Sequence, residues 1–119
     1  MITLPLADIE TAVSAAFDRY LGQDPQSFDL DLSGRTVRVT IELRDDRFDC
    51  GIPGFVMANK DVDALGDWVP KHINAAGGEY VGGLAPCKSV GKIGQVNVVL
   101  RTKHVMFNFH VNLERDCGA

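Results

Sequence analysis

Apolar and polar residues take turns along the last third of the chain with almost no interruption. Val96, Val98 and Leu100 alternate with Gln95, Asn97 and Val99. After Arg101-Thr102-Lys103-His104 the alternation resumes with Val105, Phe107, Phe109, Val111 and Leu113 against Met106, Asn108, His110 and Asn112. A period of two predicts a β-hairpin with one buried face. A four-residue loop sets Leu100 opposite Val105, Val98 opposite Phe107 and Val96 opposite Phe109. On the other face the same register pairs Val99 with Met106, Asn97 with Asn108 and Gln95 with His110. That second face is polar but almost uncharged, and ordinary solvent-facing strands are rich in Lys and Glu.

Upstream, Leu6, Ile9, Val13, Phe17, Tyr20 and Leu21 recur at helical spacing, with Pro5 suited to the first turn and Gly22 to the C-terminal cap. Phe28, Leu30 and Leu32 then alternate with Asp29 and Asp31, and Val37, Val39, Ile41 and Leu43 follow Ser33-Gly34. A two-residue turn there places Leu30 opposite Val37, Phe28 opposite Val39, and Asp29 opposite Arg38. A third strand, 48–52, returns so that Leu43 meets Phe48 and Ile41 meets Cys50; Pro53-Gly54 is expected to end it. Between Asp61 and Gly78 a weaker helical pattern runs through Val62, Leu65, Trp68, Val69, Ile73 and Ala76. Pro70 cannot sit in a regular helix interior, which predicts a short turn from Asp61 and then a helix capped by Asp67 with Pro70 in its first turn. Gly77-Gly78 would close it. Glu79–Val81 suits a short strand, and Gly82, Gly83, Pro86, Gly91 and Gly94 mark an irregular loop before the final hairpin.

The predicted fold is therefore α+β, in the order α-β-β-β-α-β-β-β. A mainly antiparallel sheet of five to six strands carries both helices on one face. Residues 1–119 read as a single domain. The two halves, roughly 1–57 and 58–119, echo each other, since Leu43-Arg44 and Leu100-Arg101 both lead into hairpin turns. Two amphipathic hairpins of ordinary length resemble one another without common descent, and that plainer reading is preferred to an αβββ duplication.

An apolar content of 45% supplies a core without metal or disulfide, and the net charge of −4 argues against a nucleic-acid binder that works through a basic patch. Residues 1–63 hold 12 acids and 6 bases, so the negative charge is concentrated in the first half. Cys50, Cys87 and Cys117 are odd in number and lack CxxC spacing, which suits a reducing compartment. With no leader-like start and no apolar run of membrane-spanning length, the expected location is cytoplasmic, away from membranes.

Chemistry is hard to find. Gly82-Gly83-Leu84-Ala85-Pro86-Cys87-Lys88-Ser89 only approaches a phosphate-binding loop, with Cys87 at the second glycine and Pro86 removing a donor. Cys50 shares the inward parity of Phe48 and Ile52, whereas Cys87 beside Lys88 would be the easier thiol to ionise. His104 and His110 are ~20 Å apart along a strand, and no cysteine stands at ligand spacing from a histidine. No catalytic set, cofactor or metal site follows from the sequence, and the balance falls against an enzyme.

The expected function is that of a small protein-binding module with an inhibitor, immunity or chaperone-like role, its partner another protein or a second copy of itself. Two surfaces are candidates: the neutral hairpin face (Gln95, Asn97, Val99, Met106, Asn108, His110) and the acidic residues Asp31, Asp45, Asp46 and Asp49. The alternative is a small enzyme or ligand-binding protein with a pocket near Trp68, His72, Tyr80 and Cys87. Small acidic secretion chaperones and phage tail-completion proteins share the combination of helices and short strands as architecture alone, and architecture does not fix function.

Overall fold

Three residues ahead of Pro5 already form a strand. In the computed structural model, which describes residues 2–73, 79–82, 93–101 and 105–116, β1 is Ile2–Leu4. It runs parallel to the end of the fourth strand, with Ile2 opposite Phe55 and Leu4 opposite Met57. Three residues are too few for alternation to register, and the sequence reading missed it.

Pro5 then opens α1, Leu6–Leu21, its carbonyl accepting from the amides of Asp8 and Ile9 at 3.0 and 3.2 Å. The buried stripe is Ile9, Ala12, Val13, Ala16, Phe17 and Tyr20, the i, i+3, i+4 spacing of one helical face. The cap differs in detail from expectation. Gly22 keeps right-handed geometry (φ −79°), and the left-handed residue is Gln23 at φ +58°. A side chain in that conformation costs about 1 kcal/mol.

β2 (Phe28–Leu32), β3 (Arg35–Arg44) and β4 (Arg47–Met57) form an antiparallel meander in the register read from the sequence. Phe28 faces Val39, Asp29 faces Arg38, Ile41 faces Cys50 and Leu43 faces Phe48. Ser33 and Gly34 both have positive φ (51° and 80°), the type I′ geometry that matches strand twist. Pro53-Gly54 does not end β4. The strand passes through them, with Gly54 at φ +88°, and regains its neighbour at Val56 and Met57. Pro53 falls in the gap where the ladder is interrupted on both sides, so its missing N–H costs no ladder bond.

A 3-10 turn at Asn59–Asp61 leads into α2, Val62–His72. Asp67 is therefore interior rather than a cap. Pro70 sits in the last turn, where it forgoes one bond, and the Ile73 amide still reaches the Val69 carbonyl at 2.9 Å. Gly77-Gly78 lies outside the described residues, as does most of the Gly82–Ser89 loop with Cys87. β5 (Glu79–Gly82), β6 (Ile93–Arg101) and β7 (Met106–Asp116) form a second antiparallel meander.

The sheet order is β2-β3-β4-β7-β6-β5, with β1 attached to β4. The two meanders meet along a parallel β4·β7 pair that sets Phe48 beside Phe107 and Cys50 beside Phe109. The architecture is α+β with a mixed, mostly antiparallel sheet. The last hairpin is shifted by two residues from the predicted register. Leu100 faces Phe107, Val98 faces Phe109, Val99 faces Asn108, Asn97 faces His110 and Gln95 faces Asn112. A two-residue slip preserves every side chain's face, so alternation alone could not choose between the registers. The parallel partner supplies the choice, and the Met106 amide is held by the Asp46 carbonyl at 3.1 Å.

One apolar cluster unites β1, both helices and the inward face of the strands. At its centre Phe17 meets Phe107 edge-on at 5.2 Å, and Tyr20 lies 5.4 Å from Phe48 and 5.5 Å from Phe107. These contacts fix α1 across the seam between the two meanders.

Candidate functional site: the open face of the sheet

Both helices bury their apolar stripes against the same side, and inward parity on the central strands belongs to Phe48, Cys50, Val96, Val98, Leu100, Phe107, Phe109 and Val111. The other side therefore carries Thr40, Asp49, Gly51, Asn97, Val99, Met106, Asn108, His110 and Asn112. Gly51 is buried and the rest are half-buried. Of the predicted hairpin face, Asn97, Val99, Met106, Asn108 and His110 share this surface; Gln95 has the right backbone position opposite Asn112, but its side chain lies outside the described residues.

Asp49 links the hairpin to the first meander. Its carboxylate accepts from Asn108 Nδ2 at 3.0 Å on one oxygen and from Arg44 Nε at 3.0 Å on the other. Arg44 also reaches Glu42 at 3.3 Å. The Asn108 side-chain oxygen is buried and has no hydrogen-bond partner among the described residues. Thr40 donates to the Gly51 carbonyl at 3.2 Å. The His110 ring lies over Gly51 so closely that a Cβ there would sit 2.8 Å from Cε1. Burial lowers the His110 pKa below the ordinary histidine value; nearby Asp49 opposes the shift and Arg44 adds to it. Beside this ring a cleft of about 170 Å³ is lined by Thr40, Ile52, Pro53, His110 and Asn112.

The four predicted acids do not gather. Asp49 joins the open face, whereas Asp31 lies on edge strand β2, accepting from Thr36 at 3.3 Å. Asp45 and Asp46 are exposed at the β3–β4 turn, where Asp46 pairs with Arg47 at 3.5 Å. Asp29 is likewise paired, with Arg38 at 3.2 Å. Among the described residues, no group of three or more His, Cys, Asp or Glu side chains could hold a metal ion. Cys50 is buried under the sheet, on the opposite side from His110, and desolvation pushes its thiol pKa far up.

The predicted pocket around Trp68 takes another form. Trp68 and His72 stack on each other at 5.3 Å, and Trp68 borders an open groove of about 470 Å³ along α1 with Ala7, Thr11 and Ser14. The Tyr80 side chain and Cys87 lie outside the described residues. A more apolar cavity stands elsewhere, at the C-terminal end of α1. It measures about 310 Å³ and is lined by Tyr20, Gln23, Pro25, Leu43, Phe48 and Val105. The sequence reading missed it because its walls come from separated segments. The one local signal is Leu43, an apolar residue beside the β3–β4 turn that stays 57% exposed. No helix among the described residues is long and apolar enough to cross a membrane. Comparison with known protein families, with curated proteins and with solved structures finds no match to this chain.

Proposed function

We propose that the protein is a small, non-catalytic protein-binding module of the inhibitor, immunity or chaperone-like kind, and that it acts through the open face of its sheet in a reducing, cytoplasmic setting. One observation carries this reading. The side of the sheet away from both helices bears an amide-rich strip, Asn97, Asn108 and Asn112 around Val99 and Met106, and its neighbouring charges are neutralised within the protein. The centres of protein interfaces are depleted of charged side chains, whereas surfaces built for solvation carry them. The carboxylates of the first half contribute less to this reading. Asp29, Asp31, Glu42 and Asp49 already have partners, which weakens their pull on a basic protein.

The test is affinity capture from lysate of the native host, comparing the wild type with Asn97→Lys/Val99→Lys. These two positions are better than Asn108, where a new ammonium would be absorbed by Asp49. A stoichiometric partner that the double variant releases, while remaining folded, supports the proposal. A partner retained at wild-type level by the variant, or no partner at all, would overturn it.

A further inference from the structure

On the open face the His110 ring fills the space that a side chain at position 51 would occupy. A Cβ on Gly51 would stand 2.8 Å from its Cε1 and 3.0 Å from its Nδ1. Just past this contact β4 leaves its neighbours. Gly51 pairs with His110 and Val56 with Asn112, so residues 52–55 of β4 bulge past the single residue Val111. The ladder to β3 stops at the same point, with Thr40 opposite Gly51. The break leaves the cleft of about 170 Å³ beside the ring, between Thr40, Ile52, Pro53 and Asn112. A cavity of ~150 Å³ takes benzene and imidazole is smaller, so the cleft has room for the ring in a second position. Bulges concentrate where a strand must re-aim a side chain.

The surroundings of His110 favour different positions for its two protonation states. From β4 Asp49 faces it, but that carboxylate is taken up by Asn108 Nδ2 and Arg44 Nε, each at 3.0 Å. From β3 come Thr40, whose hydroxyl donates to the Gly51 carbonyl, and Arg44, whose second partner is Glu42. Asn97 on β6 and Asn108 and Asn112 on β7 carry no charge. Among the described residues no carboxylate forms an ion pair with His110. Against Gly51 the ring is therefore favoured in its neutral form, and burial holds its pKa below the ordinary histidine value. In the cleft an imidazolium would meet water and the polar side chains of Thr40 and Asn112. We infer that His110 is a proton-operated latch on the open face: the neutral ring packs on Gly51, and the protonated ring turns into the cleft beside Pro53. As a regulator of docking, the latch rests on the reading of this face as a partner surface. Acidification then puts a positive charge into a strip that is neutral at its centre, and the partner is released.

The experiment is an NMR titration of the free full chain from about pH 8 to about pH 4.5, following the His110 ring and its nuclear Overhauser contact to the Gly51 α-protons. The expected result is a contact present when the ring is neutral and lost with the same midpoint as ring protonation. The Thr40 and Ile52 amides should shift with that midpoint, while contacts between Phe17 and Phe107 persist and show the core intact. By linkage, a ring forced off Gly51 must also hold its proton more tightly. Gly51→Ala should therefore raise the His110 midpoint from its lowered value to about 6.5. A protonated ring that keeps its contact to Gly51, or an unchanged midpoint in Gly51→Ala, would overturn the latch. Either result would leave the docking face standing, because the capture experiment at neutral pH decides that separately.

Discussion

Gly51→Ala tests the packing of the open face at its tightest point. Gly51 sits in the middle of β4, between Thr40 of β3 and His110 of β7. A methyl group there would meet His110 Cε1 at 2.8 Å, Nδ1 at 3.0 Å and the His110 carbonyl oxygen at 3.0 Å. The ring can rotate away, but the carbonyl is held in the sheet and can yield only if β4 and β7 separate locally. Overpacking of this kind costs ~1–3 kcal/mol. Glycine removal returns ~0.4–1 kcal/mol by restricting the unfolded chain. The net expectation is a loss of about 1–2 kcal/mol, seen in urea as a midpoint lowered by roughly 0.5–1.5 M at unchanged slope. Repeating the substitution in a His110→Ala background separates the two contacts. With the ring gone and the carbonyl contact retained, the cost should fall by about 1 kcal/mol without vanishing. A Gly51→Ala protein as stable as the wild type, or an identical cost in both backgrounds, would refute the close approach of the ring.

Three further outcomes follow from the same contacts. Because burial holds His110 below the ordinary histidine pKa of ~6.5, the unfolded chain takes up that proton at a higher pH than the folded one. His110's contribution is therefore complete above that value and is lost as pH falls through the window beneath it, so urea midpoints should decline on acidification there and do so less in His110→Gln. Tyr20→Phe deletes the hydroxyl that holds the Val105 carbonyl and should cost ~0.5–1.5 kcal/mol in thermal or urea unfolding. In a Cys87→Ser/Cys117→Ser background, Cys50 should resist iodoacetamide until the protein unfolds, since it is 1% exposed and its thiolate is strongly disfavoured. Rapid native labelling would place Cys50 outside the core.

The sequence made the faces legible because each depends on parity within one segment. Leu30 opposite Val37 and Ile41 opposite Cys50 follow from short turns that fix register locally. The final hairpin shows where this stops. Its faces were readable, yet its register depended on Phe48 and Cys50 of a strand more than fifty residues away. The same non-locality hid the parallel β4·β7 seam, and with it the bond from Asp49 to Asn108 that makes two meanders into one surface. Pro53 misled because its position between two ladders, rather than its identity, decides whether a strand can continue. The cavity at Tyr20 and Leu43 needed four pieces of chain brought together, and no periodicity encodes that.

The central claim is that the amide-rich face is open to a partner in the free protein. Solvent paramagnetic relaxation measures this directly, with a soluble gadolinium chelate added to methyl-labelled protein. The account predicts strong relaxation at the Val99 and Met106 methyls, none at Val98 and Leu100, and loss of the Val99 and Met106 effect when the captured partner is added. Shielding of Val99 and Met106 in the monomeric, partner-free protein would mean that the chain covers this face itself, and would contradict the account.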